Sequence, residues 1–150
     1  MFTCPPEPGI ASAYVTTVQL HPSTSLTAET DALVVGAHSS PDGPQAAPGA
    51  EMLDEALGGR LTAALTALGF TGKAGETVKL PTLGAVPAPV AVVAGLGDAP
   101  GEPGALDVET LRRAAGAAVR SLAGTARAAL ALPATTAEQA GAVALGGLLG

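Results

Sequence analysis

The sequence contains little of the material from which most catalytic and metal sites are built. Its 150 residues include no tryptophan, no asparagine, one cysteine and two histidines, and aromatic residues make up 2%. Its few histidine, cysteine and carboxylate residues are not spaced like metal ligands, and Gly-x-Ser-x-Gly, P-loop and His-Glu-x-x-His sequences do not occur. The residues alone therefore predict an ordinary domain with no catalytic and no metal-binding residue, whose core is filled by Ala, Val and Leu.

Positive charge is also scarce. Seven basic residues face 13 acidic ones, and the net charge of −6 disfavours nucleic acid as a partner. The single cysteine, Cys4, cannot form an internal disulfide, which favours a reducing cytoplasm. No apolar run approaches the roughly 20 residues that a membrane helix needs, and the first residues lack the features of a signal peptide. We therefore expect a cytoplasmic protein with no membrane partner.

Hydrophobic periodicity predicts alternating strands and helices. Residues 1–11 are rich in proline and are predicted to be a disordered lead-in, which leaves 12–150 as one domain. Residues 39–49 are predicted to be a loop. The predicted strands are 13–20, 31–38, 76–80, 90–94 and 127–132, and the predicted helices are 51–68, 107–122 and 137–150. This alternation predicts an α/β fold with a central mixed β-sheet flanked by helices.

Local signals mark the ends of the three predicted helices. Asp107 is a good N-cap, and Thr136 with Gln139 forms a capping box. Gly58 and Gly59 interrupt the first helix, which must bend there or depend on tertiary packing. Its apolar stripe is formed by Leu53, Leu57, Leu61, Leu65 and Leu68.

One segment could bind a ligand through its backbone. Gly95, Gly97 and Asp98 follow the buried strand 90–94, and glycine lets a phosphate or carboxylate approach main-chain N–H groups. The third glycine of a dinucleotide-binding fingerprint is missing. A plain connection between strand and helix is therefore the favoured interpretation, and a ligand-binding loop is the alternative.

The other candidate residues have simple structural interpretations. His21 and His38 stand beside turn residues, so we expect both to face solvent. Cys4 lies in the proline-rich segment and is predicted to be an inert thiol.

Arginines cluster in the second predicted helix. Arg113, Arg120 and Arg127 recur every seven residues, and Arg112 precedes Arg113. The helix would place Arg113 and Arg120 on one face, whereas Arg127 begins the next predicted strand. A solvated helix face is the expected role, and an anion site or contact with an acidic partner is the alternative.

Five segments, taken together and in order, resemble the N-terminal domain of leucyl (cytosol) aminopeptidases, peptidase family M17. They are TDALVVG (30–36), GRLTAAL (59–65), AVVAGLG (91–97), ETLRRAAG (109–116) and LGGLLG (145–150). The resemblance implies a macro-domain-like, three-layer α/β fold with the mixed sheet between helices. It also implies a larger C-terminal catalytic domain that is absent from this chain.

The family's chemistry lies outside these segments. In the family, two divalent metal ions, Zn or Mn, are held around an Asn-Thr-Asp-Ala-Glu-Gly-Arg motif and activate water to attack the first peptide bond. A chain without asparagine cannot contain that motif, so no catalytic or metal-binding residue is carried over and no cofactor is expected in these 150 residues. The resemblance thus implies a non-catalytic domain of a hydrolase, inactive alone, whose partners are its own catalytic domain and the subunits of a homohexamer.

Two other functions are compatible with a macro-like fold. A stand-alone module could bind ADP-ribose or another anion, and the loop at Gly95 would be its site. A DNA-binding regulatory role, which some members of the family have, is disfavoured by the acidic balance of the chain.

Overall fold

The computed structural model describes residues 17–19, 30–102 and 105–150. These ranges contain five strands and four helices. In chain order they are β1 (Ala32–Ser39), β2 (Gln45–Ala46), α1 (Glu51–Ala56), α2 (Leu61–Ala67), β3 (Thr77–Pro81), β4 (Val90–Asp98), α3 (Val108–Ser121), β5 (Ala128–Ala131) and α4 (Ala137–Leu149).

The strands form one mixed sheet with β1 at its centre. One edge of β1 pairs with the parallel strand β4, and β3 pairs antiparallel with the far side of β4. The other edge of β1 is shared, since β5 lies parallel to its first half and β2 antiparallel to its end. The sequence prediction of an α/β fold with a mixed central sheet is confirmed.

The sheet separates two cores, as its apolar strands require. Val34 and Val92 face the cluster that contains Leu111 of α3, whereas Leu33 and Val93 face the opposite cluster, with leucines of α1 and α2. Adjacent residues of a strand point to opposite faces, so a strand covered on both faces must be apolar throughout. Helices α1 and α2 cover one face and α3 and α4 the other, which confirms the three layers.

The predicted helix 51–68 is wrong as one element, because it is two short helices. Gly58 and Gly59 have φ values of 67° and 76°, in the left-handed region that a helix interior does not use. The Oδ1 atom of Asp54 then accepts a hydrogen bond of 3.1 Å from the N–H of Leu61, the first residue of α2. The second helix ends at Ala67, and 54% of the surface of its C-cap residue, Leu68, is exposed.

The structure confirms three predicted strands, changes the predicted loop, and does not describe the predicted lead-in. Strands 31–38, 76–80 and 127–132 are confirmed with small shifts at their ends, whereas the predicted loop 39–49 contains the short strand β2. The lead-in 1–11 lies outside the described residues, and so do Cys4 and His21. Most of the predicted strand 13–20 also lies outside them, and 17–19 are not in a strand.

Both later helices begin where the sequence predicts. Asp107 occupies the N-cap of α3, although its side chain makes no capping hydrogen bond. Thr136 and Gln139 form the predicted capping box at the start of α4. The amide of Gln139 also donates to the Leu106 carbonyl at 2.9 Å, so one buried side chain ties α4 to the segment before α3.

A turn before β3 is organised around the carboxylate of Glu76. It accepts hydrogen bonds from the N–H groups of Thr71, Gly72 and Lys73 and from the Thr71 hydroxyl. Burial acts to raise the pKa of Glu76, but the hydrogen bonds from Thr71, Lys73 and Gly72 outweigh it and hold the pKa below its ordinary value. The ionised side chain therefore fixes this turn.

Replacing Glu76 by Gln should lower the free energy of unfolding by about 1 kcal/mol at pH 7, because an uncharged amide accepts these hydrogen bonds less strongly. A carboxylate with a lowered folded pKa stabilises above its unfolded pKa, and that contribution is lost as the pH falls through the folded value. The difference between the wild type and Glu76→Gln should therefore shrink in urea titrations below about pH 4. Glu55→Gln, at an exposed position of α1, is the control; a pH-independent difference would refute this role for the carboxylate.

Candidate functional site

The segment proposed to bind a ligand lies within a strand. Gly95, Gly97 and Asp98 belong to β4, which runs four residues beyond the predicted end at Ala94. The prediction of a loop here is therefore wrong. The pairing of β1 with β4 shifts register between Ala37 and Ser39, opposite this end of β4, and Gly97 has a φ of 75°. The strand is thus irregular at its carboxyl end, and ligands often bind at the carboxyl ends of parallel strands.

The backbone donors of this segment are already used inside the protein. The N–H of Gly95 donates to the Glu76 carbonyl at 2.7 Å, and the N–H of Gly97 donates to the Gly72 carbonyl at 2.9 Å. A Cβ atom at Gly95 would lie 1.9 Å from the carbonyl oxygen of Lys73. Close packing against the 72–76 segment thus accounts for glycine at 95, and ligand binding by Gly95, Gly97 and Asp98 stays a prediction.

His38 does not face solvent, so that prediction is wrong. Only 7% of its surface is exposed. Its Nδ1 atom lies 3.3 Å from the carbonyl oxygen of Gly97, which can only accept, so Nδ1 carries the hydrogen. The histidine packs at the irregular end of β4, where it ties β1 to β4.

Metal ligands do not come together in the part of the chain that is described. Within residues 17–19, 30–102 and 105–150, no three His, Cys, Asp or Glu side chains are grouped so that they could hold a metal ion. The helices in the same ranges are all too short or too polar to cross a membrane.

A small cavity lies between α3 and α4, and its walls are basic. Its volume is about 160 Å³, and it is lined by Arg112, Arg113, Gly116, Arg120, Gly146 and Leu149. Sequence reasoning placed the arginines on one helix but missed the cavity, because the second wall comes from α4. The only sequence signal for this cavity is a small residue on each helix, Gly116 on α3 and Gly146 on α4.

One acidic residue orients two of these arginines. Glu109 accepts hydrogen bonds from Nε and Nη2 of Arg112 at 2.8 and 2.6 Å, and from Nε of Arg113 at 2.7 Å. The hydrogen bonds from Arg112 and then Arg113 lower the pKa of Glu109 to about 2, and Glu109 in turn raises the pKa of Arg112. Arg127, which precedes β5, does not line the cavity.

Comparison of the sequence with known families gives a clear match. Residues 34–150 match the model described as the cytosol aminopeptidase family, N-terminal domain. A probable cytosol aminopeptidase from Streptomyces griseus is 48% identical over 136 residues, which cover 91% of this chain and 26% of that protein. One from Streptomyces coelicolor is 52% identical over 120 residues, covering 80% of this chain and 23% of that protein. The chain spans about a quarter of the length of these relatives.

Solved structures of two enzymes have a similar fold. A mutant of tomato leucine aminopeptidase is 27% identical, with a TM-score of 0.57 over 81% of this chain and 25% of that one. The bottromycin maturation enzyme BotP in complex with Mn is also 27% identical, with a TM-score of 0.52 over 78% of this chain and 22% of that one.

Proposed function

Because this chain belongs to the cytosol aminopeptidase family, as its N-terminal domain, we propose that it serves as the non-catalytic domain of a metal-dependent aminopeptidase. The whole enzyme would release N-terminal amino acids from peptides. The observation that carries the proposal is the match of residues 34–150 to the N-terminal domain of the family, in a chain that spans about a quarter of its relatives.

The chemistry is assigned to the part of the enzyme that corresponds to the rest of the relatives' length. The described residues do not form the donor set that two divalent metal ions need. The carboxylates of Asp54, Glu76 and Glu109 bind backbone N–H groups or arginines instead. The described residues therefore do not fit a pair of metal ions. BotP was determined as a manganese complex, and we propose manganese or zinc for the catalytic part.

The domain's own role is then structural. The exposed leucines Leu145, Leu148 and Leu149 on α4 leave apolar surface for contact with the remainder of the enzyme. We propose that it helps to arrange the subunits of a homohexamer in the cytoplasm. The names of the relatives and the single cysteine support that compartment.

Metal titration tests the assignment of chemistry. Isothermal titration of this chain with Mn²⁺ or Zn²⁺, after dialysis against a chelator, should show no saturable site, because three suitable ligands are not grouped in its described part. Carbonic anhydrase without its zinc serves as the positive control for Zn²⁺. Stoichiometric binding of two ions per chain would show that the domain itself carries the metal centre.

A further inference from the structure

The cavity between α3 and α4 has an excess of positive charge that the described structure does not neutralise. Its walls carry the three arginines of α3 that the sequence groups together, and the carboxylate paired with two of them is Glu109. Arg120 makes no hydrogen bond or ion pair with any described residue. Two positive charges therefore remain, in a chain whose net charge is −6.

The helix dipole does not offset this excess. The last turn of α4 borders the cavity through Gly146 and Leu149. The negative end of a helix corresponds to roughly half a unit charge and acts only within the last turn. Arg120 also lies in the last turn of α3, but both helix ends together amount to only about one unit of negative charge. Arg113 and Arg120 are exposed to solvent, so the cavity keeps an accessible net positive charge that attracts anions.

The geometry also leaves donors free to bind such an anion. Each guanidinium has five N–H donors, and Glu109 takes two from Arg112 and one from Arg113. Glu109 thereby holds both side chains in place. Gly116 and Gly146 line the cavity of about 160 Å³, and the absence of side chains on them lets α3 and α4 approach closely beside it.

We propose that this cavity is an oxyanion-binding site that takes a phosphate or carboxylate group, with Arg120 as its main ligand and Arg113 as the second. Planar guanidinium groups match both kinds of oxyanion through paired N–H···O bonds. The inference does not depend on the proposed aminopeptidase role. The ligand is the phosphate of a small molecule or the carboxylate of an acidic side chain.

The test is a titration of this chain with inorganic phosphate and, separately, with acetate, at constant ionic strength maintained with chloride. Arginine Nε–Hε cross-peaks in NMR spectra report which side chains respond. Saturable shifts at Arg113 and Arg120 in the millimolar range are expected. Tighter binding of phosphate would identify a phosphate-bearing ligand, and tighter binding of acetate would identify an acidic side chain.

Two variants with the same change of charge complete the experiment. Arg120→Gln should weaken the binding of the preferred anion by about tenfold, the loss expected for one charge-assisted hydrogen bond. Arg60→Gln, at the exposed N-cap of α2, should leave it unchanged. No saturable shift with either anion, or equal weakening by both variants, would overturn the proposal, because only a diffuse counterion effect would then remain.

Discussion

Replacing Gly146 by Ala should lower the free energy of unfolding by about 1–3 kcal/mol, although alanine is the better helix former. A Cβ atom at this position would lie 2.1 Å from the carbonyl oxygen of Arg112 and 3.0 Å from the Cβ of Ala115. Backbone cannot move aside as a flexible side chain does. The two helices would have to separate, and packing between α3 and α4 would be lost.

The same helix offers a matched control for this effect. Gly141 is exposed, and a Cβ atom there would meet nothing within 4 Å. Gly141→Ala should therefore raise the stability by about 0.5–1 kcal/mol, through the entropy of the unfolded chain. Urea denaturation of both variants measures the contrast. Equal changes of the same sign would contradict the close approach of α3 and α4.

The second large effect is expected in α2. Leu65 has no exposed surface and lies in the core between the sheet and the two short helices. Leu65→Ala should cost about 2–5 kcal/mol, because it removes buried apolar contacts and leaves a cavity. Thermal or urea unfolding, monitored by circular dichroism, would measure it.

Leu68→Ala is the comparison that makes this result informative. The predicted helix 51–68 places Leu65 and Leu68 on one buried stripe. In the structure, Leu68 is the C-cap of α2, and 54% of its surface is exposed. Its replacement should cost about 0.5 kcal/mol or less. Similar losses for the two variants would contradict the end of α2 at Ala67 and the exposure of Leu68.

Features that depend on neighbouring residues were predictable from the sequence. The capping box of Thr136 and Gln139 needs only a hydroxyl and an amide three residues apart, and the structure has it where predicted. The apolar runs of β1 and β4 likewise required burial on both faces. The mixed sheet followed from their alternation with helices.

Features that depend on distant segments were not predictable. His38 is buried because it packs against β4, where its hydrogen-bond partner Gly97 lies 59 residues away in the chain. Strand β4 continues past Ala94 because the 72–76 segment supplies carbonyl acceptors for Gly95 and Gly97. The arginine cavity needs the close approach of Gly146 to α3, which no periodicity within α3 could indicate.

The measurement that tests the central claim most directly is an aminopeptidase assay with leucine p-nitroanilide and Mn²⁺. It compares this 150-residue chain with the product of the complete reading frame from which it comes. We predict no hydrolysis by the chain itself and hydrolysis by the longer product that a chelator abolishes. Chelator-sensitive hydrolysis by the 150 residues alone, or a reading frame that stops at Gly150, would contradict the assignment as the non-catalytic domain of an aminopeptidase.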